Sequence, residues 1–132
     1  MILPLSLFLQ LATAEASSVA PITLAAFAQN ESGLNPNAVH DNTTGLSTYP
    51  ETATAAIALA TFLLREGHSL DLGIMQVNSA NLARTGLTVA TAFEPGQSMR
   101  AGAMILVAAT RWTSGRIAAP VAPPLPSWAS WR

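Results

Sequence analysis

Hydrophobic residues recur along most of the chain at the three- and four-residue spacing of amphipathic helices. The first such stripe lies in an apolar stretch, residues 2–14, and consists of Leu5, Phe8, Leu9 and Ala12. This stretch is shorter than the roughly 20 residues that a membrane-spanning helix needs. Its Ala-Thr-Ala ending also fits the cleavage site of a secretory signal peptide, but no positive charge precedes it and Gln10 interrupts it. Both interpretations stay open, and a first helix of the folded domain is favoured.

A second helix is predicted between Pro21, a residue type that often starts helices, and Gly33, a type that often ends them. Leu24, Phe27 and Ala28 fall on one face of this helix because they are three and four residues apart. Asn35-Pro36 follows directly and prevents the helix from continuing.

The rest of the chain predicts more helices around one irregular region. Residues 39–50 carry turn residues flanked by β-capable ones, so a loop or a short irregular β-hairpin is expected there. Further helices are expected at residues 52–66, 79–84, 88–93 and 99–113, with Ser79, Thr88 and Ser98 as caps of the last three. The predicted fold class is therefore mainly α.

The end of the chain differs in composition. Four of the nine prolines lie between Pro120 and Pro126, and such a run cannot be helical. We expect one folded domain over residues 1–115 and a Pro-rich, irregular tail over residues 116–132. Trp128 and Trp131 in this tail belong either to a partner-binding segment or, as favoured, to an irregular terminus.

Composition and charge exclude several functions. The 132 residues suit one domain, and 50% hydrophobic against 10% charged residues promises a core rather than disorder. Six arginines, no lysine and a formal charge of −1 give no attraction to nucleic acid. The absence of cysteine excludes disulfides and thiolate chemistry. The pairs His40-Asp41 and His68-x-x-Asp71 offer possible metal ligands, but both flank turns without a metal-binding spacing, so no metal or other cofactor is predicted.

One carboxylate breaks the pattern of its own helix. Glu31 occupies the stripe of Leu24, Phe27 and Ala28, in the last turn before Gly33. Apolar surroundings and the negative end of the helix dipole both disfavour the ionised form, so both are expected to raise the pKa of Glu31. A carboxylic acid that stays protonated near neutral pH suits general-acid cleavage of a glycosidic bond. The alternative is a glutamate at a wet helix end whose carboxylate simply reaches solvent.

A second unusual segment spans residues 71–78. Gly73 allows a positive φ or a close backbone approach, and Gln76 and Asn78 alternate with Met75 and Val77. In an extended segment this alternation places the two amides on one side, where they suit the hydroxyl and N-acetyl groups of a sugar. The alternative is an ordinary polar loop edge.

Together the two segments resemble the lytic transglycosylase family of the lysozyme-like superfamily. Its signature is Glu-Ser at a helix end and a later Gly-Leu-Met-Gln, which here are Glu31-Ser32 and Gly73-Ile74-Met75-Gln76. The match is closest to the branch associated with type IV secretion and conjugation. The supporting motifs are Pro21-Ile22-Thr23-Leu24-Ala25, Asn35-Pro36, Asp71-Leu72-Gly73, Asn78, Asn81-Leu82, Gly86-Leu87, Phe93, Pro95 and Gly102-Ala103. The resemblance covers about residues 1–110 and implies a lysozyme-like, SLT-type helical domain.

The resemblance implies that Glu31 is the single catalytic acid. It would cleave the MurNAc–GlcNAc β-1,4 bond of peptidoglycan with formation of 1,6-anhydro-MurNAc, and so open the wall locally for a secretion or conjugation apparatus. Ser32 would orient the acid, and Gly73, Met75, Gln76 and Asn78 would bind the sugar. The implied partners are peptidoglycan glycan strands and type IV secretion components, and the implied location is the periplasm or cell envelope.

Two departures from the family leave a second function open. Positions where family members commonly carry cysteines read Ser17-Ser18 and Gly96, and no Ala-Tyr-Asn segment follows Arg111. In the family the tyrosine of that segment contacts the catalytic glutamate, whereas the single tyrosine here is Tyr49. Either Tyr49 or a water takes its place, or the domain is weakly active, or it is inactive. In the last case it would bind peptidoglycan or a secretion-system partner without cleavage.

Overall fold

The structure is a computed structural model that describes residues 1–113, with side chains through residue 110. About half of these residues lie in four α-helices: α1 (Leu5–Glu15), α2 (Pro21–Ser32), α3 (Ala53–Arg65) and α4 (Pro95–Thr113). Four short strands lie between them: β1 (Val39–Asp41), β2 (Ser47–Thr48), β3 (Leu70–Leu72) and β4 (Val77–Asn78). The predicted mainly α fold with a hairpin inside residues 39–50 is confirmed. The predicted tail at residues 116–132, with Trp128 and Trp131, lies outside the described residues.

The strands form one antiparallel sheet in the order β2-β1-β3-β4. His40 in β1 is paired with Ser47 in β2 on one side and with Asp71 in β3 on the other. Asp71 is paired in turn with Asn78 in β4. Because directly paired residues share a face of a sheet, these four polar side chains form one row across it.

The helices enclose a core of small and medium-sized apolar side chains. α1 packs against α4 and α2, and Phe8 and Ala12 of the predicted first stripe are fully buried. Leu9 is half-buried, whereas Leu5 is exposed. The structure therefore contains a helix in this region that packs against the domain, as the favoured interpretation of residues 2–14 predicts. No helix among residues 1–113 has the length and hydropathy to cross a membrane.

Local sequence signals explain where two of the helices begin and end. Pro21 is the first residue of α2, and Gly33 follows its end with φ of 63°, a left-handed conformation that glycine adopts at low cost. Thr52 caps α3, because its hydroxyl accepts a hydrogen bond from the backbone N–H of Ala55 at 3.1 Å. Both helices lie within two residues of their predicted bounds.

Three predicted helices differ from the observed elements. α4 begins at Pro95 rather than at Met99, because Pro95 fits the first turn of a helix and Ser98 lies buried inside α4. The predicted helix at residues 79–84 is only a 3₁₀ turn, Ser79–Asn81, and its cap is the side chain of Asn78. The one predicted at residues 88–93 is also a 3₁₀ turn, Thr91–Phe93.

The segment 73–76 is not extended, which corrects a second prediction. It forms a tight turn between β3 and β4, closed by a bond from the Gln76 N–H to the Gly73 carbonyl at 3.1 Å. Gly73 has φ of 81° and Gln76 has φ of 52°. The alternation of Gln76 and Asn78 therefore does not place their amides on one side of a strand. The positive φ values break the two-residue period that such an argument assumes.

Candidate active site

Glu31 lies in the last turn of α2, half-buried, where the chain turns sharply away from the helix. The turn contains two consecutive left-handed residues, Gly33 and Leu34, each with φ of 63°. Leu34 is buried, and such a conformation is uncommon for a residue with a branched side chain. Burial of Leu34 holds the end of α2 in place, and with it the backbone that carries Glu31.

Glu31 lines a small cleft of about 110 Å³. The cleft is bounded by the end of α2, by β1 and β2, and by the turn between β3 and β4. Its lining residues are Glu31, Ala38, Val39, His40, Ser47, Tyr49 and Gln76. The two sequence segments singled out for chemistry, around Glu31 and around Gln76, therefore meet at one cleft.

Ser32 connects the two segments. Its hydroxyl donates to the carbonyl oxygen of Ile74, 42 residues along the chain, at 2.6 Å, and lies 3.0 Å from the carbonyl oxygen of Ala28. Ser32 and Ile74 are both buried. Because Ser32 follows Glu31 directly, this bond sets the position of the acid relative to the turn that carries Gln76.

The amide of Gln76 is held by the backbone. Its Nε2 donates to the carbonyl oxygens of Ala38 at 3.1 Å and Gly73 at 2.9 Å. Both partners are acceptors, so the amide nitrogen must point towards them and its orientation is defined. The amide oxygen is then the atom of Gln76 with which a ligand in the cleft can bond.

The remaining predicted residues support the cleft from behind or lie beside it. The Gly73 N–H donates to the Ala38 carbonyl at 2.9 Å, and a Cβ on Gly73 would overlap the carbonyl oxygen of Ala92. Met75 is buried against Gly102. Asn78 uses its amide internally, since Nδ2 donates to Asp71 at 2.9 Å and Oδ1 accepts from the Ala80 N–H at 3.0 Å. Of the predicted site residues, Glu31 and Gln76 line the cleft, and Ser32, Gly73, Met75 and Asn78 do not.

The cleft also contains residues that the motif analysis did not assign to it. His40 and Ser47 lie on paired strands, with 2.8 Å between His40 Nδ1 and Ser47 Oγ. Tyr49, considered above only as a substitute for the family tyrosine, lies just beyond β2 with 55% of its surface exposed. A strand-pairing argument for residues 39–50 could have placed His40 opposite Ser47, but no local signal shows that this hairpin borders Glu31.

A second polar cluster holds the turn of the β1–β2 hairpin. Asp41 accepts hydrogen bonds from His68 Nδ1 at 2.6 Å and from the Thr43 and Thr44 N–H groups. Burial alone would raise the pKa of Asp41, but the hydrogen bonds from His68, Thr43 and Thr44 outweigh burial and hold this pKa below its usual 3.8. Within the described residues, no group of three His, Asp or Glu side chains gathers closely enough to hold a metal ion.

Comparison with known proteins gives a family match over most of the chain. The model of the Transglycosylase SLT domain matches residues 8–122. Protein virB1 of Agrobacterium fabrum (strain C58 / ATCC 33970) is 44% identical over 103 residues, which are 78% of this chain and 41% of that protein. Protein virB1 of Rhizobium radiobacter is 44% identical over 91 residues, 69% of this chain and 38% of that protein.

A third relative comes from another genus. The type IV secretion system protein virB1 of Brucella abortus (strain 2308) is 42% identical over 99 residues, 75% of this chain and 42% of that protein. The chain thus spans about two fifths of the length of the curated relatives it matches. No solved structure matches the chain significantly.

Proposed function

Because the chain belongs to the Transglycosylase SLT domain family, we propose that it is a peptidoglycan lytic transglycosylase with Glu31 as its catalytic acid. The observation that carries this proposal is the position of Glu31 at the end of α2, in a cleft that it shares with Gln76. A general acid must reach the bond it cleaves, and a cleft of this kind lets a glycan approach the carboxyl group.

The proposed reaction needs one acid and no water. Glu31 donates its proton to the glycosidic oxygen as the bond from that oxygen to C1 of the muramic residue breaks, and the bonding electrons stay on the oxygen. The muramic 6-hydroxyl oxygen then bonds to C1, and its proton returns to Glu31. The product carries a 1,6-anhydro ring, and the acid is regenerated. The resemblance further implies that the acetamido group of the substrate stabilises the positive charge at C1.

The surroundings of Glu31 support its part in the first step. Glu31 lies in the last turn of α2, on the cleft where a glycosidic oxygen can reach its carboxyl group. Ser32 and the bonds of Gln76 hold the walls in place, so that less ordering is needed when a substrate binds. In this proposal Ser32, Gly73 and Met75 position the site, Gln76 contacts sugar, and Asn78 secures Asp71 and the start of the 3₁₀ turn.

The relatives named for type IV secretion suggest where such an activity is used. We propose that this chain opens peptidoglycan locally in the bacterial envelope for a secretion or conjugation apparatus. The partners would then be glycan strands and components of that apparatus.

The test is mass spectrometry of the products released from purified sacculi. The unaltered protein should release anhydro-muropeptides, and Glu31→Gln should lower the rate at least about 100-fold, since it removes the general acid. Glu66→Gln is the matched control, because Glu66 also lies at a helix C-terminus but is exposed and outside the cleft.

Each outcome of this test has one meaning. Anhydro products from the unaltered protein and from Glu66→Gln, but not from Glu31→Gln, support the proposal. Hydrolytic products with a reducing muramic end would refute the anhydro route. Sacculus binding without any product would favour the alternative, a domain that binds peptidoglycan without cleaving it.

A further inference from the structure

His40 is the one imidazole that lines the same cleft as Glu31 within the described residues. It lies in the middle of β1, and none of the motif residues discussed above accounts for its presence. We propose that His40 is a substrate-binding residue whose free ring nitrogen, Nε2, hydrogen-bonds a hydroxyl group of the sugar held against Glu31. The inference rests on the proposed function and deepens it, because it adds a contact on the second wall of the cleft.

The ring of His40 is held by its neighbours in the sheet. Ser47 lies opposite on β2, with its Oγ 2.8 Å from Nδ1. Asp71 lies opposite on β3, buried, and its own carboxylate accepts from Asn78 Nδ2 at 2.9 Å. A side chain that is hydrogen-bonded on one side and paired with a buried residue on the other loses less freedom when a ligand binds, which favours binding.

The two ring nitrogens of His40 have different surroundings. Nδ1 is occupied by Ser47, and through residue 110 the structure gives the ring no other hydrogen-bond partner. Nε2 is therefore the nitrogen that can contact a ligand in the cleft. A serine hydroxyl can donate or accept, so either tautomer of His40 keeps the Ser47 bond. A sugar hydroxyl can also donate or accept, so it suits Nε2 in either state.

The lining of the cleft favours a neutral, hydroxyl-rich ligand. The described residues that line it offer one carboxyl, one imidazole, one phenol, one hydroxyl and one amide group, from Glu31, His40, Tyr49, Ser47 and Gln76, and no arginine through residue 110 is among them. The amide oxygen of Gln76 and the imidazole of His40 can each bond a hydroxyl group of a pyranose ring. A phosphate or carboxylate ligand would ordinarily be met by an arginine fork.

Two substitutions separate the functional role of His40 from a structural one. In His40→Asn the amide lies where Nδ1 lay, so the Ser47 bond is kept and the contact at Nε2 is lost. In His40→Gln the longer side chain places its amide near the position of Nε2. A substrate-binding role predicts that the Gln variant binds glycan better than the Asn variant. A purely structural role through Ser47 predicts the reverse order.

The binding experiment uses the Glu31→Gln background, so that the glycan is not consumed. The probe is a soluble peptidoglycan tetrasaccharide, and the readout is its Kd by calorimetry. We expect His40→Asn to weaken binding about 10-fold, the size of one lost hydrogen bond, and His40→Gln to weaken it no more than about 3-fold. In the protein with Glu31 intact, KM should rise in the same order with kcat little changed.

His68→Asn is the matched control. His68 is the other histidine of the chain, it also bonds through Nδ1, and it lies outside the cleft. Its Asn variant should bind the tetrasaccharide with unchanged Kd, and thermal unfolding of every variant shows whether it is folded.

Two results would overturn the inference about His40. One is an unchanged Kd in both His40 variants, and the other is tighter binding by His40→Asn than by His40→Gln. Absence of anhydro products from the unaltered protein would instead refute the proposed reaction. The order of the two Kd values would still decide the role of His40.

Discussion

Replacement of Ser32 by alanine tests the bond that joins the acid to the opposite wall of the cleft. The Ser32 hydroxyl lies 2.6 Å from the Ile74 carbonyl oxygen and 3.0 Å from that of Ala28, so the shorter bond is the one across the fold. Both Ser32 and Ile74 are buried, and the alanine variant leaves the Ile74 carbonyl without this donor. A buried polar group that loses its partner costs about 1–3 kcal/mol.

Thr13→Ala is the control for the loss of stability that comes from removing a hydroxyl bond within a single helix. The Thr13 hydroxyl also bonds the carbonyl four residues earlier, that of Leu9, at 2.9 Å, but it is exposed and reaches no second element. We expect Thr13→Ala to change the free energy of unfolding by less than about 0.5 kcal/mol. The difference between the two variants therefore measures the bond between Ser32 and Ile74.

The assay is urea unfolding followed by far-ultraviolet circular dichroism. The midpoint should fall for Ser32→Ala at an unchanged m-value, since the substitution alters stability and not the surface exposed on unfolding. In a thermal scan, each 1 kcal/mol should correspond to a shift of about 3–5 °C for a domain of this size. Equal stability of Ser32→Ala and Thr13→Ala would refute the claim that this hydroxyl joins the two segments.

Two further predictions concern the backbone at Gly73 and the hairpin residue Asp41. Gly73→Ala should destabilise the fold by at least about 3 kcal/mol in the same urea assay, because the added Cβ meets the Ala92 carbonyl in addition to the strain at φ of 81°. Gly45→Ala has the same φ of 81° with open space around it, so it should cost only about 1–2 kcal/mol, and equal losses would contradict the proposed overlap. For Asp41, hydrogen bonds lower the folded pKa below 3.8, so its stabilisation is complete above the unfolded value and is lost as the pH falls through the folded one. Unfolding scans from about pH 6 to pH 2 should therefore show a shallower loss of stability in Asp41→Asn than in the unaltered protein, and parallel curves would contradict this.

The sequence predicts those features that depend on residues close together in the chain. Pro21, Gly33 and Thr52 act within one turn of their own positions, and each marks a helix end close to where the structure has it. The same holds for the hairpin of residues 39–50, whose turn residues are contiguous. Glu31 could be singled out because an amphipathic stripe is a local property.

The cleft depends on contacts that no local pattern contains. Ser98 illustrates this, because serine near a helix start is ordinarily read as a cap. Here Pro95 already starts α4, and the Ser98 hydroxyl accepts the Met75 N–H at 3.2 Å from 23 residues away. The side chain therefore supports the turn that carries Gln76 and does not serve its own helix. The buried Met75 N–H needs an acceptor, and this requirement outweighs the local tendency of serine to cap a helix.

Long-range contacts also explain why the residues of the sequence motif and the residues that line the cleft are only partly the same. Six residues were predicted to form the site, and the cleft contains two of them, Glu31 and Gln76. The turn that carries Gln76 needs a glycine at position 73, where the chain passes the Ala92 carbonyl. In the same turn, the Met75 side chain is buried against Gly102. Gly73 and Met75 therefore belong to the motif because they shape the turn. The second wall comes from a hairpin whose residues reach Glu31 only through strand pairing with β3, so His40 becomes visible as a site residue only once the sheet is formed.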